Sequence, residues 1–194
     1  MNDVTGNTQN NTTGLNFRDL SFLIVDKDRR AATVLRTILR NFYARDIDFA
    51  PSTIQAYAHL HEKHTDIILV ESDLGGDDTG FDLVKKIRAS SFEDYQHIPI
   101  IMMTADASEK NVSMARDIGV NEFMVKPVSP KETFDHISSV ITHPRPFIEV
   151  ENYAGPDRRR KKEFFEQERR KENLQKQARE ESETLAETQV ETQG

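Results

Sequence analysis

The stretch Asp66-Ile67-Ile68-Leu69-Val70-Glu71-Ser72 decides the fold. Four aliphatic residues in a row leave no polar face, so the segment reads as a strand covered on both sides, the pattern of a parallel sheet. After it, GFDLVKKIRAS (80–90) repeats its apolar residues at helical spacing. The same order recurs on either side. LSFLIVD (20–26) precedes DRRAATVLRTILRNFY (28–43), whose Val34, Leu35, Ile38, Leu39 and Phe42 share one helical face. DIDFA (46–50) precedes STIQAYAHLHEKH (52–64), IPIIMMT (98–104) precedes ASEKNVSMARDIG (107–119), and NEFMVK (121–126) precedes SPKETFDHISSVI (129–141). Five βα units predict an α/β fold: a five-stranded parallel sheet, doubly wound by helices on both faces. In such a sheet ligands sit at the C-terminal strand ends. Asp26, Lys27 and Asp28 follow the first strand, Glu71 the third, Thr104 the fourth and Lys126 the fifth, so separate segments converge on one polar site.

The 194 residues leave room for one ordinary domain plus tails. With 30% charged against 36% hydrophobic residues and no Trp, part of the chain is expected to stay solvated. The absence of Cys removes disulfides, thiolate nucleophiles and Cys-held metals, and fits a reducing, cytoplasmic setting. No apolar run approaches the ~20 residues of a membrane span. Residues 1–17, rich in Asn and Thr, lack the basic start and apolar stretch of a signal peptide and read as a disordered leader. The domain is expected over 18–143, followed at 144–156 by a Pro-containing linker that leaves as an extended strap. The net charge of −7 hides a block arrangement, because residues 158–179 hold ten Lys and Arg against four Glu, and five more Glu follow by residue 191. Residues 157–180 therefore read as a basic helical segment capped by Asp157, and 181–194 as an acidic disordered tail.

Several motifs together make residues 20–142 resemble the receiver domain of two-component response regulators, the fold of the chemotaxis protein CheY. FLIVD ends on Asp26, where that family has an acidic pair, and DIILVE ends on Glu71, where it has its phosphoacceptor Asp. PIIMMTA places Thr104 at the family's hydroxyl position, FMVKP places Lys126 and Pro127 at its Lys-Pro step, and Phe123 stands at its aromatic switch position. The resemblance implies two carboxylates holding Mg²⁺ beside the phosphoacceptor, with a Thr hydroxyl and a Lys ammonium neutralising the phosphoryl oxygens.

This chain departs from that pattern at the chemistry. Lys27 takes the second acidic position, so Mg²⁺ binding is expected to be lost or weak and no metal site is expected. Glu71 reaches about one C–C bond, roughly 1.5 Å, further than Asp. Asp28 is an alternative carboxylate one residue further into its loop, and Asp73 would need a register shift. The loop from Glu71 to Gly80 is one residue longer than the family's spacing, with Gly75 where Pro is common. The expectation is a charge-balanced pocket of Asp26, Lys27, Glu71 and Lys126, without a catalytic residue. Glu71 would imitate a phosphorylated Asp only in part, with about −1 against −1.5 to −2 for phosphate. A locked resting state is equally allowed. The rival is a competent receiver that takes phosphate from a histidine kinase. His59, His61 and His64 are spread around their helix and are expected to face solvent; Gly75, Gly76 and Gly80 read as a flexible loop; Ser72, Ser108 and Ser129 have no His partner.

In the tail, YAGPDRRRKK sets Tyr153 beside Arg158, Arg159 and Arg160. A planar guanidinium can pair with guanine O6 and N7, stack on a base or clamp a phosphate. The segment resembles the arginine-rich extension of CheY-like effectors that bind cyclic di-GMP and act on the flagellar motor. The sequence thus predicts a stand-alone, non-enzymatic pseudo-receiver in bacterial two-component or second-messenger signalling. It would have no DNA-binding output domain, a signalling-protein partner in the flagellar motor or chemotaxis machinery, and cyclic di-GMP as a tail ligand. Nucleic acid or an anionic surface is the alternative partner for the same charges.

Overall fold

A computed structural model describes residues 16–77 and 79–158. Five strands form the sheet: β1 (Ser21–Val25), β2 (Asp46–Ala50), β3 (Ile67–Glu71), β4 (Ile100–Thr104) and β5 (Glu122–Val125). Their order is β2-β1-β3-β4-β5, and every pairing is parallel. The helices are α1 (Arg29–Asn41), α2 (Thr53–Glu62), α3 (Gly80–Arg88), the short α4 (Glu93–Gln96), α5 (Glu109–Asp117) and α6 (Pro130–Thr142).

All five residues of β3 and all five of β4 are buried, as their unbroken apolar runs predict. Side chains alternate across the pleat. Leu23, Val25, Ile68, Val70, Ile100 and Met102 face a core cluster with α2, α3 and Ala115 of α5, whereas Phe22, Ile24, Ile67, Leu69, Ile101 and Met103 face α1 and α6. The strand order reverses direction at β1 and β3, so the loops after these neighbours diverge and leave a crevice at their C-terminal ends.

Helix caps shape that crevice. Asp28 caps α1 by accepting the Arg30 N–H, Thr79 caps α3 by accepting the Asp82 N–H, and Ser129 forms a reciprocal box with Glu132 at the start of α6. Ser108 caps α5 in the same way, so Ser108 and Ser129 have structural duties.

Four expectations are corrected. Phe17, assigned to the leader, is fully buried: its N–H donates to Phe42 O at 3.0 Å and its ring stacks on Phe134 at 5.5 Å. Residues 1–15 of that leader lie outside the described residues. The strap at 144–156 is instead a hairpin, with β6 (Phe147–Val150) antiparallel to β7 (Tyr153–Pro156). A Cβ on Gly155 would lie 2.7 Å from Gly119 Cα, so two glycines let the hairpin sit on the α5–β5 turn. His59 is half-buried near Asp48, whereas His61 and His64 are exposed as expected, His61 meeting Tyr57, Phe92 and Tyr95 edge-on and His64 Nε2 lying 2.9 Å from Asp66 Oδ1.

Gly80 is the fourth correction, because it is the first residue of α3 and no flexible hinge. Its N–H donates to Ser72 O at 2.9 Å, and a Cβ there would lie 2.1 Å from Glu71 O. The helix therefore enters directly under the end of β3. Gly80→Ala is expected to displace Glu71 and to destabilise the fold by about 1–3 kcal/mol, measured by urea unfolding; an unchanged midpoint would mean the helix start can move freely.

Candidate functional site

The C-terminal ends of β1, β3, β4 and β5 bring together Asp26, Glu71, Ser72, Thr104 and Lys126. Asp26 is 2% exposed; its Oδ1 accepts the Asp28 N–H at 2.8 Å and its Oδ2 accepts Lys126 Nζ at 2.7 Å. The same ammonium also meets Glu71 Oε2. Lys126 comes to this place because its N–H donates to Thr104 O at 2.7 Å, which extends the β4–β5 ladder, and a cis peptide bond to Pro127 then turns the chain away. Its long stem delivers a cation from the edge strand to the centre of the sheet.

Burial pulls the Lys126 pKa down, but hydrogen bonds to Asp26 and Glu71, with the attraction of both charges, more than offset it and hold the value above that of an ordinary lysine. Glu71 Oε1 points the other way, accepting from Ser72 Oγ at 2.9 Å and from the Asp73 N–H at 3.3 Å. Ser72 Oγ lies 2.8 Å from Thr104 Oγ1, which in turn accepts the Asp106 N–H at 3.0 Å. The aromatic Phe123 on β5 is half-buried and packs against the core cluster of the α2, α3 and α5 face.

Lys27 does not join this group. Its ammonium pairs with Asp73 Oδ2 at 2.6 Å on the open rim, and its stem passes over Gly75, where a Cβ would come 3.3 Å from Lys27 Cδ. The expected balance of two cations and two anions in one pocket is thus corrected to an inner set of one cation between two anions and an outer Lys27–Asp73 pair. Lys126 already compensates the inner carboxylates, and a second buried ammonium would lose hydration without a free partner. The hydrogen bond from Lys27, with another from the Gly75 N–H, lowers the Asp73 pKa. Asp28, the other alternative carboxylate, is engaged as the α1 cap.

Tyr153 lies elsewhere. It sits in the hairpin beside the N-terminal end of β5, at the opposite end of the sheet, and its hydroxyl donates to Pro156 O at 2.5 Å. Arg158 is exposed, whereas Arg159 and Arg160, with the expected basic helix and acidic tail, lie outside the described residues.

A family model for the response regulator receiver domain matches residues 22–138, which take in all of the sheet but Ser21 and every residue of this pocket. The chain belongs to that family. Chemotaxis protein CheY-3 of Vibrio cholerae is 29% identical over 123 residues, covering 62% of this chain and 92% of the relative. Chemotaxis protein CheY of Pseudomonas aeruginosa is 27% identical over 121 residues, covering 62% and 95%. Among solved structures, the signal receiver domain of a DNA-binding response regulator from Colwellia psychrerythraea matches with a TM-score of 0.57 at 27% identity, covering 64% of this chain and 100% of that one. The protein is therefore a receiver of two-component signalling, and the hairpin β6–β7 lies beyond the matched span. No helix among the described residues is long and apolar enough to cross a membrane.

Sequence reasoning weighed Ser72 only as a nucleophile without a His partner and passed over its place in the pocket, between Glu71 and Thr104. It also passed over Arg88, 4% exposed, which donates to the carbonyls of Gly119, Gln96 and Ile98 and to Asn121 Oδ1. Burial pushes its guanidinium down to about 9.

Two outcomes follow from the triad of charges. Lys126→Met leaves two buried carboxylates without their cation and is expected to cost about 3–5 kcal/mol in denaturant unfolding at neutral pH. Because folding raises the Lys126 pKa, its contribution is complete below the unfolded lysine value of about 10.4 and is lost as pH climbs through the higher folded value. The stability gap between wild type and Lys126→Met should accordingly shrink on the alkaline side; a gap independent of pH from 7 to 12 would show that the ammonium is not what Met removes.

Proposed function

We propose that this receiver works by binding, with Glu71 as a permanent partial substitute for an acyl phosphate, and is not run by ordinary phosphotransfer. The observation that carries the reading is the occupancy of the site by its own charges: Lys126 is held between Asp26 and Glu71 while Lys27 is turned out to Asp73. The Lys126 ammonium could neutralise phosphoryl oxygens where it stands, so the departure that disfavours phosphotransfer is Lys27, a cation at a metal-ligand position that pairs with Asp73.

The donor set also fits Mg²⁺ poorly. Asp26 and Glu71 share one compensating cation, Asp28 caps a helix, and Lys27 contributes a positive charge where a metal ligand would be needed.

For output, the chemotaxis proteins among the relatives support a partner in the chemotaxis machinery, and the flagellar motor is proposed on the likeness of the tail alone. Cyclic di-GMP is the ligand proposed for Tyr153, Arg158, Arg159 and Arg160, on the chemistry of a flat cation beside an aromatic ring. This reading rests on the sequence of the segment, in which Tyr153 precedes the three arginines.

Incubation with acetyl phosphate and millimolar Mg²⁺ is expected to leave the intact mass unchanged; an acyl phosphate on Glu71 or Asp73 would instead support the competent receiver. Calorimetric titration of the full chain with cyclic di-GMP is expected to show binding that weakens with salt and discriminates against cyclic di-AMP. Replacing Arg158, Arg159 or Arg160 with Lys should cost about 1–3 kcal/mol wherever the guanidinium reads a base edge. Equal affinity for both dinucleotides would reduce the segment to a patch of charge.

A further inference from the structure

We infer that Ser72 is a positioning residue that couples the Glu71 carboxylate to Thr104 and, through Asp106, to the start of α5. The inference rests on the reading of Glu71 as the permanent anion of the site.

Proton bookkeeping gives the relay a direction. An ionised carboxylate only accepts, and a hydroxyl carries a single proton. Ser72 therefore spends its proton on Glu71 Oε1 at 2.9 Å, which leaves Ser72 Oγ as an acceptor toward Thr104 Oγ1 at 2.8 Å. The Thr104 proton has one other destination, Asp106 O, at the longer distance of 3.4 Å. Thr104 Oγ1 in turn accepts the Asp106 N–H at 3.0 Å. The side chain of Asp106 accepts from the Ser108 N–H at 2.9 Å and from Asn111 Nδ2 at 2.8 Å, where Ser108 is the N-cap of α5. The series thus runs from the anion at the end of β3 to the first turn of α5.

Burial lets the series transmit. Glu71, Ser72 and Thr104 are all buried, so water does not replace a lost link, and bonds in a chain of this kind polarise one another. Among the described residues the hydrogen bonds of the Thr104 hydroxyl go to Ser72 and Asp106, so Glu71 acts on that hydroxyl through the serine. Alanine at position 72 would preserve the fold's apolar packing and remove only the link, whereas threonine would retain the hydroxyl.

The test is amide hydrogen exchange on the full-length, ¹⁵N-labelled chain without any phosphodonor. Ser72→Ala is expected to speed exchange of the Asp106 amide by about tenfold and to shift the Ser108 to Asn111 resonances, with Ser72→Thr restoring both. Glu71→Gln should speed Asp106 exchange in the wild-type background and add nothing in the Ser72→Ala background. Equal effects of Glu71→Gln in both backgrounds, or an Asp106 amide indifferent to Ser72→Ala, would overturn the relay. Should Ser72→Ala lose its dispersed spectrum, the wild-type chain still decides: a slowly exchanging Thr104 hydroxyl proton close to Ser72 is expected, and a freely exchanging one contradicts the proposal. Because no phosphodonor is present, failure of the relay stays distinct from failure of the binding-only reading, which an acyl phosphate would reveal.

Discussion

The ammonium of Lys126 between the carboxylates of Asp26 and Glu71 is the contact on which the site depends. Two buried anions side by side repel, and neither would remain charged in an apolar setting without compensation. One cation carried in from β5 resolves both, and in doing so ties together the ends of three strands. A buried charge group of this kind is weak as a source of stability compared with apolar packing, but removing one member is costly. The arrangement therefore constrains what else can happen at the crevice. A metal ion must compete with a cation that is already covalently part of the chain.

Around this centre the sheet supplies position more than chemistry. The apolar runs of β3 and β4 fix where Glu71 and Thr104 emerge, and Gly80 allows α3 to start directly beneath the β3 carbonyl. Lys27, displaced outward, closes the rim with Asp73 and lies over Gly75, so the loop after β3 is held by side-chain contacts at its open edge. At the far end of the sheet Arg88 organises a second set of contacts. Its guanidinium satisfies three backbone carbonyls and lies 5.7 Å from the Phe147 ring, which joins the hairpin to the body of the domain. The segment that leads to Arg158 is thus part of the folded unit.

The sheet and its helices were legible because buried strands and amphipathic helices impose different periods, and five such alternations leave few topologies. The Lys126 pairing was legible for a related reason: strand C-termini meet in this topology, and only one lysine ends β5. The direction of Lys27 was not legible, because it depends on which carboxylates another cation has already neutralised. Ser72 was hidden by distance along the chain, its partner Thr104 lying 32 residues away. Phe17 was obscured by its Asn- and Thr-rich neighbours, although an aromatic residue just before a strand is an ordinary core signal. The hairpin was missed because both strands have only four residues and β7 contains Gly and Pro, and its seat depends on the close approach of Gly119 and Gly155.

The most direct measurement of the central claim is the ¹⁵Nζ resonance of Lys126 in the full chain, followed while Mg²⁺ and the phosphoryl analogue beryllofluoride are added. A slowly exchanging ammonium, unchanged at millimolar concentrations of both, is the predicted result: Lys126 keeps its place between Asp26 and Glu71. A shift of that resonance together with a beryllofluoride adduct on Glu71 would contradict the account and return the site to phosphate-driven chemistry.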